Sequence, residues 1–325
     1  MRAIIATEPG GPDVLTIGEV DQPSPGPDQI LIEVAGAGVN RADLLQRQGH
    51  YPPPPGASPI IGLEVSGRVS SLGEGVSGWE AGDACVALLA GGGYAEYVVV
   101  PAGQVVQPPP GFDLLAAAGV IEVAATVWSN LDAARLSAGQ VFLVQGGAGG
   151  IGSFAIQYAK ALGATVITTA GSEEKLDYCR ALGADHAISY RGDWQTQVQS
   201  AAGEHGVDVI LDNMGAKYLA DHVRLMAPGA RLMVIGMQGG TKAELDLSQL
   251  MAKRGWLTST SLRARPVGEK AEICRGVVEQ VWPLLHDGTI KATEHTVFPL
   301  ADAGGAHQRM QSGDHSGKII LAVRA

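Results

Sequence analysis

Apolar and polar positions alternate in short runs over roughly the first hundred residues, at 29–35 (Gln-Ile-Leu-Ile-Glu-Val-Ala), 64–70 and 94–100, each broken by Gly or Pro. A period of two with frequent breaks predicts half-buried strands in a compact β-rich module. Turns at Pro23-Ser24-Pro25-Gly26-Pro27 and Gly73-Glu74-Gly75 punctuate this module, and Pro108-Pro109-Pro110 marks its exit. A helical passage over 114–134 follows. From 141 the pattern alternates between the two periods: helices at 153–162, 173–182, 194–201 and 218–226, with strands beginning at 141 and at 164–169, 186–189, 207–212 and 230–235. Such alternation predicts a parallel sheet with helices on both faces. From about 286 short strands return, at 293–298 and 318–323 around a helix at 303–311, and are expected to rejoin the first module. The chain is therefore read as two domains, one of residues 1–122 with 286–325 and one of residues 123–285.

The first strand of the alternating block, Val141-Phe142-Leu143-Val144, runs straight into Gly147-Ala148-Gly149-Gly150-Ile151-Gly152 and then into a helix. In a Gly-x-Gly-x-x-Gly turn of this kind Gly147 is read as the residue of the sharp turn, Gly149 as the close approach to a pyrophosphate, and Gly152 as the close packing of helix on sheet. The free N–H groups and the positive end of the helix dipole then favour two phosphates without a lysine. A glycine triplet alone would be weak evidence. Here Gly163 stops the helix and a second strand follows, so strand, turn, helix and strand fit within about thirty residues.

The end of that second strand distinguishes the two nicotinamide coenzymes, because NAD binders hold the ribose hydroxyls there with a carboxylate that would repel a 2′-phosphate. Ala170 and Gly171 carry none, Ser172 offers a hydroxyl, and Lys175 adds a cation one helical turn later. This favours NADPH. Ser172 also reads as the N-cap of helix 173–182, and the two roles are compatible.

With 46% apolar and 17% charged residues in 325, the chain is too apolar to be disordered and long enough for two cores. Acidic residues outnumber basic ones, 33 to 23, and the net charge of -10 would repel a phosphate backbone, so no nucleic-acid partner is expected. Cys85, Cys179 and Cys274 lie far apart without a C-x-x-C pair, which disfavours a disulfide framework or a cysteine zinc site. They are read as reduced packing residues. The eight histidines show no ligand spacing, and His205, His286, His307 and His315, in polar surroundings, are expected to be solvated. The amino terminus reaches Pro9-Gly10 too early for a signal peptide and no apolar run is read as approaching a membrane span, so a cytoplasmic protein without a membrane partner is expected.

From Met1 to Val323 the chain resembles the zinc-independent quinone oxidoreductases of the medium-chain dehydrogenase/reductase superfamily. The resemblance is carried by 38–56, which holds Asn40, Tyr51 and four prolines, by Gly62-Leu63-Glu64-Val65-Ser66-Gly67, by 79–83 with 92–97, and by the glycine turn. Lys253-Arg254-Gly255, 261–265 and Gly317-Lys318-Ile319-Ile320-Leu321 complete it. It implies an α/β protein in which a GroES-like β-rich substrate domain is joined to a Rossmann domain with a doubly wound parallel sheet. It further implies NADPH-dependent reduction of a quinone in a cleft between them, and a homodimer built by joining sheet edges, with strand 230–235 and its following loop as the candidate edge. Zinc alcohol dehydrogenases of the superfamily use a Cys and a His-Glu pair in the first module. This chain has Asn40 and Gly62-Leu63-Glu64 in the corresponding motifs and no cysteine cluster, so no metal is expected.

A quinone or activated alkene suits such a site, because the acceptor delocalises the incoming charge onto its own oxygen. The resemblance places this segment against the coenzyme, and a proton is expected from Tyr51 or solvent, with Asn40 positioning the ring or carboxamide. Tyr51 beside four prolines is equally an aromatic that shapes the site, and Asn40 equally a turn or cap residue. Beyond the glycine turn (Gly147 to Gly152) and Gly171, Ser172 and Lys175, the coenzyme contacts expected by position are Thr126, Tyr190, Asn213, Gly236, Met237, Gln238, Leu262, Arg263 and Lys318. Thr126 also reads as a packed helix residue, Tyr190 as a surface aromatic and Lys318 as a strand charge. An NADPH-dependent enoyl or enone reductase shares these motifs, and a nucleotide-binding protein with little turnover is a third reading.

Overall fold

A computed structural model describes residues 1–324. The chain forms two compact units, one of Met1–Ala125, Leu262–Asp287 and Ala292–Ala325, the other of Thr126–Ser261 and Gly288–Lys291.

In the first unit the strand Gln29–Val39 is the spine. It pairs antiparallel with Glu64–Leu72, Tyr97–Pro101 and Lys318–Ala322, and the last of these pairs parallel with His295–Pro299. The C-terminal strands thus rejoin the first module. Ile30, Ile32, Val34, Val65, Val69, Val98, Ile319 and Leu321 point into one core, closed by Leu300, Ala303 and Ala306 at the start of the helix Ala303–Ser312. Gly38 lets two strands and a loop converge: a Cβ there would lie 2.2 Å from Glu64 Oε1 and 2.7 Å from the Ala118 carbonyl. That close approach brings the buried Glu64 beside Asn40.

Residues 262–285 were expected in the second domain and pack in the first unit instead. The helix Val267–Gln280 buries Ile273, Cys274 and Val277, Ala271 abuts Gly103, and Trp282 Nε1 donates to the Gln107 carbonyl at 2.8 Å. These anchors are single tertiary contacts, invisible to periodicity. The passage 114–134 is two helices, Leu114–Ala117 and Ile121–Ala133. Contrary to the sequence expectation, this run is long and apolar enough to cross a membrane, with mean hydropathy 1.5; 61% of its most apolar stretch is buried inside the protein, as in a core helix.

The second unit is a six-stranded sheet in the order His186–Ser189, Thr165–Ala170, Val141–Val144, Val207–Asp212, Met226–Val234, Trp256–Ser259, with every pair parallel. The chain moves outward one way from Val141–Val144 and then returns to its other side, so the order switches between Val141–Val144 and Val207–Asp212. Ligands of doubly wound sheets bind beyond the strand ends at such a switch. Strand 230–235 is not an edge, because Met226–Val234 has a neighbour on each side. The edge is Trp256–Ser259, a strand the pattern analysis missed. All four of its residues are exposed, so it carries no alternation to read.

Candidate active site

The glycine turn has the outline expected and a different division of labour. The left-handed residue is Gly146 (φ 73°), one place before Gly147. Gly147 instead lies against the neighbouring strand: its N–H donates to Thr169 O at 2.9 Å, and a Cβ there would meet Thr168 Oγ1 at 2.2 Å. Gly149 is the N-cap of helix Gly150–Ala161 with φ −79° and ψ 172°, a conformation any residue adopts. A Cβ on Gly152 would fall 2.3 Å from Gly146 O, so this glycine closes the turn on itself. Ala148 is buried beneath the loop. The first N–H groups of a twelve-residue helix therefore emerge beside backbone that carries no side chains.

At the end of the adjacent strand Thr165–Ala170 no carboxylate is present. The Ser172 hydroxyl accepts from Lys175 N at 3.4 Å and so serves as N-cap of Glu173–Ala181. Tyr190 follows the third strand of this run, and its hydroxyl lies 2.2 Å from where a Cβ on Gly171 would be, so the ring covers that glycine while remaining 45% exposed. On the far side of the turn Asn213 ends the strand Val207–Asp212, with its Nδ2 beside Gly146 and its buried Oδ1 without a partner. Gly236 packs on the Asn213 backbone, and the exposed Met237 and Gln238 follow. The structure thus gathers Gly147 to Gly152, Gly171, Ser172, Lys175, Tyr190, Asn213 and 236–238 in the second unit. Thr126, also of this unit, is nearly buried and its carbonyl accepts from Asn130 Nδ2 at 2.8 Å.

Asn40, Tyr51, Leu262, Arg263 and Lys318 all lie in the first unit. Lys318 is not an ordinary strand charge. Its buried ammonium donates to Glu64 Oε1 and Asn40 Oδ1, each at 2.7 Å, and to Val39 O at 3.3 Å. Asn40 in turn donates from Nδ2 to Glu64 Oε1 at 3.0 Å, and Glu64 Oε2 accepts from Glu122 N at 3.0 Å. All three ammonium protons face protein acceptors, so Lys318 holds Asn40. Arg263 is likewise engaged: it donates to Ala90 O, Tyr51 O and Gln46 Oε1, and its guanidinium lies 5.2 Å from the centre of the Tyr51 ring. It clamps the proline-rich loop.

A second buried chain runs from the same helix start. Asn40 N and Tyr94 Oη both donate to Asp43 Oδ2, Tyr94 Oη meets His307 Nε2 at 3.0 Å, and Arg47 Nη1 reaches His307 Nδ1 at 3.4 Å. His307, expected to be solvated, is fully buried. Burial pushes Asp43 up to about 7 despite these hydrogen bonds, and burial with Arg47 nearby holds His307 down to about 3. A neutral ring accepting from Arg47 at Nδ1 and donating to Tyr94 from Nε2 satisfies each partner. Sequence reasoning missed Glu64, Asp43, Tyr94 and His307 as a network. The one local signal was Asn40-x-x-Asp43, the spacing of a reciprocal helix cap.

A doubly wound parallel sheet with a side-chain-free glycine turn at a helix start, in a chain that also forms a β-rich unit, is the architecture of dinucleotide-binding dehydrogenases. Residues 26–110 match the alcohol dehydrogenase GroES-like domain, and residues 150–277 match the zinc-binding dehydrogenase family. The rat (Rattus norvegicus) quinone oxidoreductase is 32% identical, over 99% of this chain and 98% of that protein. The mycocerosic acid synthase-like polyketide synthase of Mycobacterium tuberculosis is 33% identical over 99% of this chain, which spans only 15% of that protein's length. Among solved structures, a mycobacterial protein complexed with NADPH (31% identity) and the Escherichia coli quinone oxidoreductase complexed with NADPH (27%) each superpose with a TM-score of 0.89, covering 99% of this chain and 100% of theirs. The CurK enoyl reductase superposes with a TM-score of 0.86 at 25% identity, covering 99% of this chain and 98% of its own. The chain belongs to the medium-chain dehydrogenase/reductase superfamily and is similar along its whole length to quinone oxidoreductases.

The family description raises zinc, and the residues present do not fit it. Among the described residues no group of three or more His, Cys, Asp or Glu side chains is placed to share a metal ion. Glu64 has an ammonium on the oxygen a cation would need. Cys85, Cys179 and Cys274 are separate buried thiols, each pushed up to about 12 by burial, whereas a zinc ligand must be a thiolate. A dinucleotide fits better, because the turn leaves a side-chain-free cradle at a helix start and the unpartnered Asn213 Oδ1 lies beside it.

Proposed function

We propose that the protein is an NADPH-dependent oxidoreductase that reduces quinones by hydride transfer without a metal. The observation that carries this reading is the glycine cradle followed by a strand end without a carboxylate, where Gly171, Ser172, Lys175 and Tyr190 stand instead. NADPH, when bound, supplies a hydride from its nicotinamide. The backbone N–H groups of the turn at Gly149 to Gly152 hold the diphosphate, Lys175 and Tyr190 take the 2′-phosphate, and Asn213 with 236–238 borders the nicotinamide half. Lys318 and Glu64 fix the Asn40 amide, and Arg263 fixes Tyr51. Tyr51 then shapes the acceptor's surroundings and supplies the proton, or leaves that step to solvent.

Direct assay separates the readings. NADPH and NADH oxidation is followed with 1,4-benzoquinone, a 1,2-naphthoquinone and an α,β-unsaturated ketone as acceptors. Turnover of the quinones with NADPH preferred at least tenfold over NADH is the expected result. Turnover confined to the enone would instead support an enoyl reductase, the reading favoured by similarity to the polyketide synthase segment and the CurK enoyl reductase. Tight NADPH binding with no turnover would leave a nucleotide-binding protein. Full quinone turnover by Tyr51→Phe would assign the proton to solvent.

We also propose a homodimer joined at the open edge of Trp256–Ser259, and a cytoplasmic location in keeping with three unpaired thiols. Trp256, Leu257, Met251 and Leu247 are exposed together on this edge strand and the short helix before it.

A further inference from the structure

We propose that Thr169, Gln145 and His222 are positioning residues that hold the glycine turn and the loop after strand Val207–Asp212 in one fixed relation, so that both halves of the dinucleotide are met by prearranged backbone. The inference rests on the coenzyme reading above and concerns residues outside the contacts assigned there.

The observation is a run of buried polar groups behind the cradle, hydrogen-bonded from Gly146 to His222 and facing Asp212 across a gap. Gly146 N–H donates to Thr169 Oγ1 at 3.3 Å, Thr169 Oγ1 donates to Gln145 Oε1 at 2.6 Å, and Gln145 Nε2 lies 3.1 Å from His222 Nε2. The far nitrogen of that ring, Nδ1, faces Asp212 Oδ2 at 3.7 Å, too long for a hydrogen bond, and has no hydrogen-bond partner. Asp212 in turn accepts from Met214 N at 2.8 Å and Gly215 N at 2.9 Å. Gly215 adopts φ 70° and packs on the backbone of Gly236 and Met237. One end of the chain is thus the left-handed residue of the glycine turn, and the other end is the loop that carries Asn213.

Donor and acceptor roles run consistently from Gly146 to His222. A backbone N–H only donates, so the Thr169 hydroxyl accepts there and must donate onward to the Gln145 carbonyl oxygen. That turns the Gln145 NH₂ toward His222, whose Nε2 must accept and whose single proton sits on Nδ1, toward Asp212. The ring must be neutral for this, and burial keeps it so, lowering its pKa to about 3. Trp194 and Tyr218 flank the ring at 6.0 and 5.9 Å between centres and hold its plane. A set of buried polar side chains that merely filled space would need no single direction, and an apolar set of equal volume would stabilise the fold as well. What the directed run adds is one orientation of Gly146 relative to the His222 ring, which faces the carboxylate that holds Met214 N and Gly215 N.

The experiment is NADPH binding by quenching of protein fluorescence, with thermal unfolding of each variant alongside. Thr169→Val keeps the volume and removes the hydroxyl, and Thr169→Ser restores it. Thr169→Val is expected to raise the Kd for NADPH about tenfold, the order of one lost hydrogen bond, with a cooperative unfolding transition retained. Thr169→Ser is expected within about twofold of the parent. The loss is expected in KM for NADPH, with kcat at saturation little changed, since no reacting atom is touched. Gln145→Met cuts the chain at its centre and carries the same expectation should Thr169→Val not fold. Unaltered NADPH affinity in a folded Thr169→Val or Gln145→Met overturns the proposal. A parent protein that does not bind NADPH would instead sink the coenzyme reading and this inference with it.

Discussion

Asp43 has one oxygen accepting two hydrogen bonds and the other, though buried, accepting none. Burial raises it from an ordinary 3.8 to about 7, so between those values the native state keeps a proton that the unfolded chain has released. Its contribution to stability is therefore full below about pH 4 and declines as pH rises toward 7. His307, held from 6.5 down to about 3, acts oppositely: the unfolded chain takes a proton the native ring refuses, so stability rises with pH across much the same window. The two contributions oppose each other over that window. Urea unfolding of Asp43→Asn across pH 4 to 8 is expected to uncover the His307 limb, with stability climbing more steeply toward neutrality than in the parent. Parallel profiles would show that Asp43 does not titrate there. The Glu64–Lys318 pair, both side chains nearly inaccessible, makes a second test. Lys318→Met leaves a buried carboxylate unpaired and is expected to cost about 3–5 kcal/mol, while Lys318→Met with Glu64→Gln together costs less than the sum of the single changes. Neither pairing was legible beforehand. Glu64 and Lys318 are 254 positions apart, and only the antiparallel register of Lys318–Ala322 on Gln29–Val39 brings them together.

The glycine turn shows how far a motif prescribes an element. Its two outer requirements were readable, since a strand must end and a helix begin within a few residues. The share of each glycine was not, because the left-handed position fell on Gly146, Gly147 packed against Thr168, and Gly152 closed on the Gly146 carbonyl. Two substitutions four positions or fewer apart should therefore differ in sign. Gly152→Ala forces a Cβ against Gly146 O and is expected to lower the melting temperature and to weaken NADPH binding more than tenfold. Gly149→Ser places a hydroxyl at an N-cap that has no side-chain cap, in a backbone conformation serine adopts freely. It is expected to add a few tenths of a kcal/mol to stability with NADPH binding retained. Calorimetry and fluorescence titration check both; a destabilised Gly149→Ser would mean the cap geometry is not available to a side chain.

At the scale of the molecule, the second unit ends on one side in a strand whose outer hydrogen-bonding groups have no partner strand and whose four side chains are exposed, Trp256 and Leu257 among them. Monomeric proteins blunt such edges with charge or proline. Trp256-Leu257-Thr258-Ser259 has neither. Sedimentation velocity is expected to show a dimer for the parent chain and a shift toward monomer for Trp256→Arg, with NADPH affinity unchanged because the edge lies three strands from Val141–Val144. A parent that sediments as a monomer at micromolar concentration would remove the proposal. The expectation of a sheet-edge dimer pointed to strand 230–235, which lies inside the sheet, because a buried strand announces itself by its apolar run and an exposed edge does not.

What the amino-acid order settled alone were the features governed by neighbours a few positions apart: the periods of most strands and helices, the glycine cradle, and the missing carboxylate at the end of Thr165–Ala170. The tertiary structure decided everything that depends on contacts between distant segments. It made Lys318 the anchor of Asn40 and Arg263 a clamp for the Tyr51 loop, buried His307, and moved 262–285 into the first unit. The physical reason is that local propensity is written in spacing along the chain, whereas desolvation, hydrogen-bond direction and close approach belong to groups that meet only after the chain has folded.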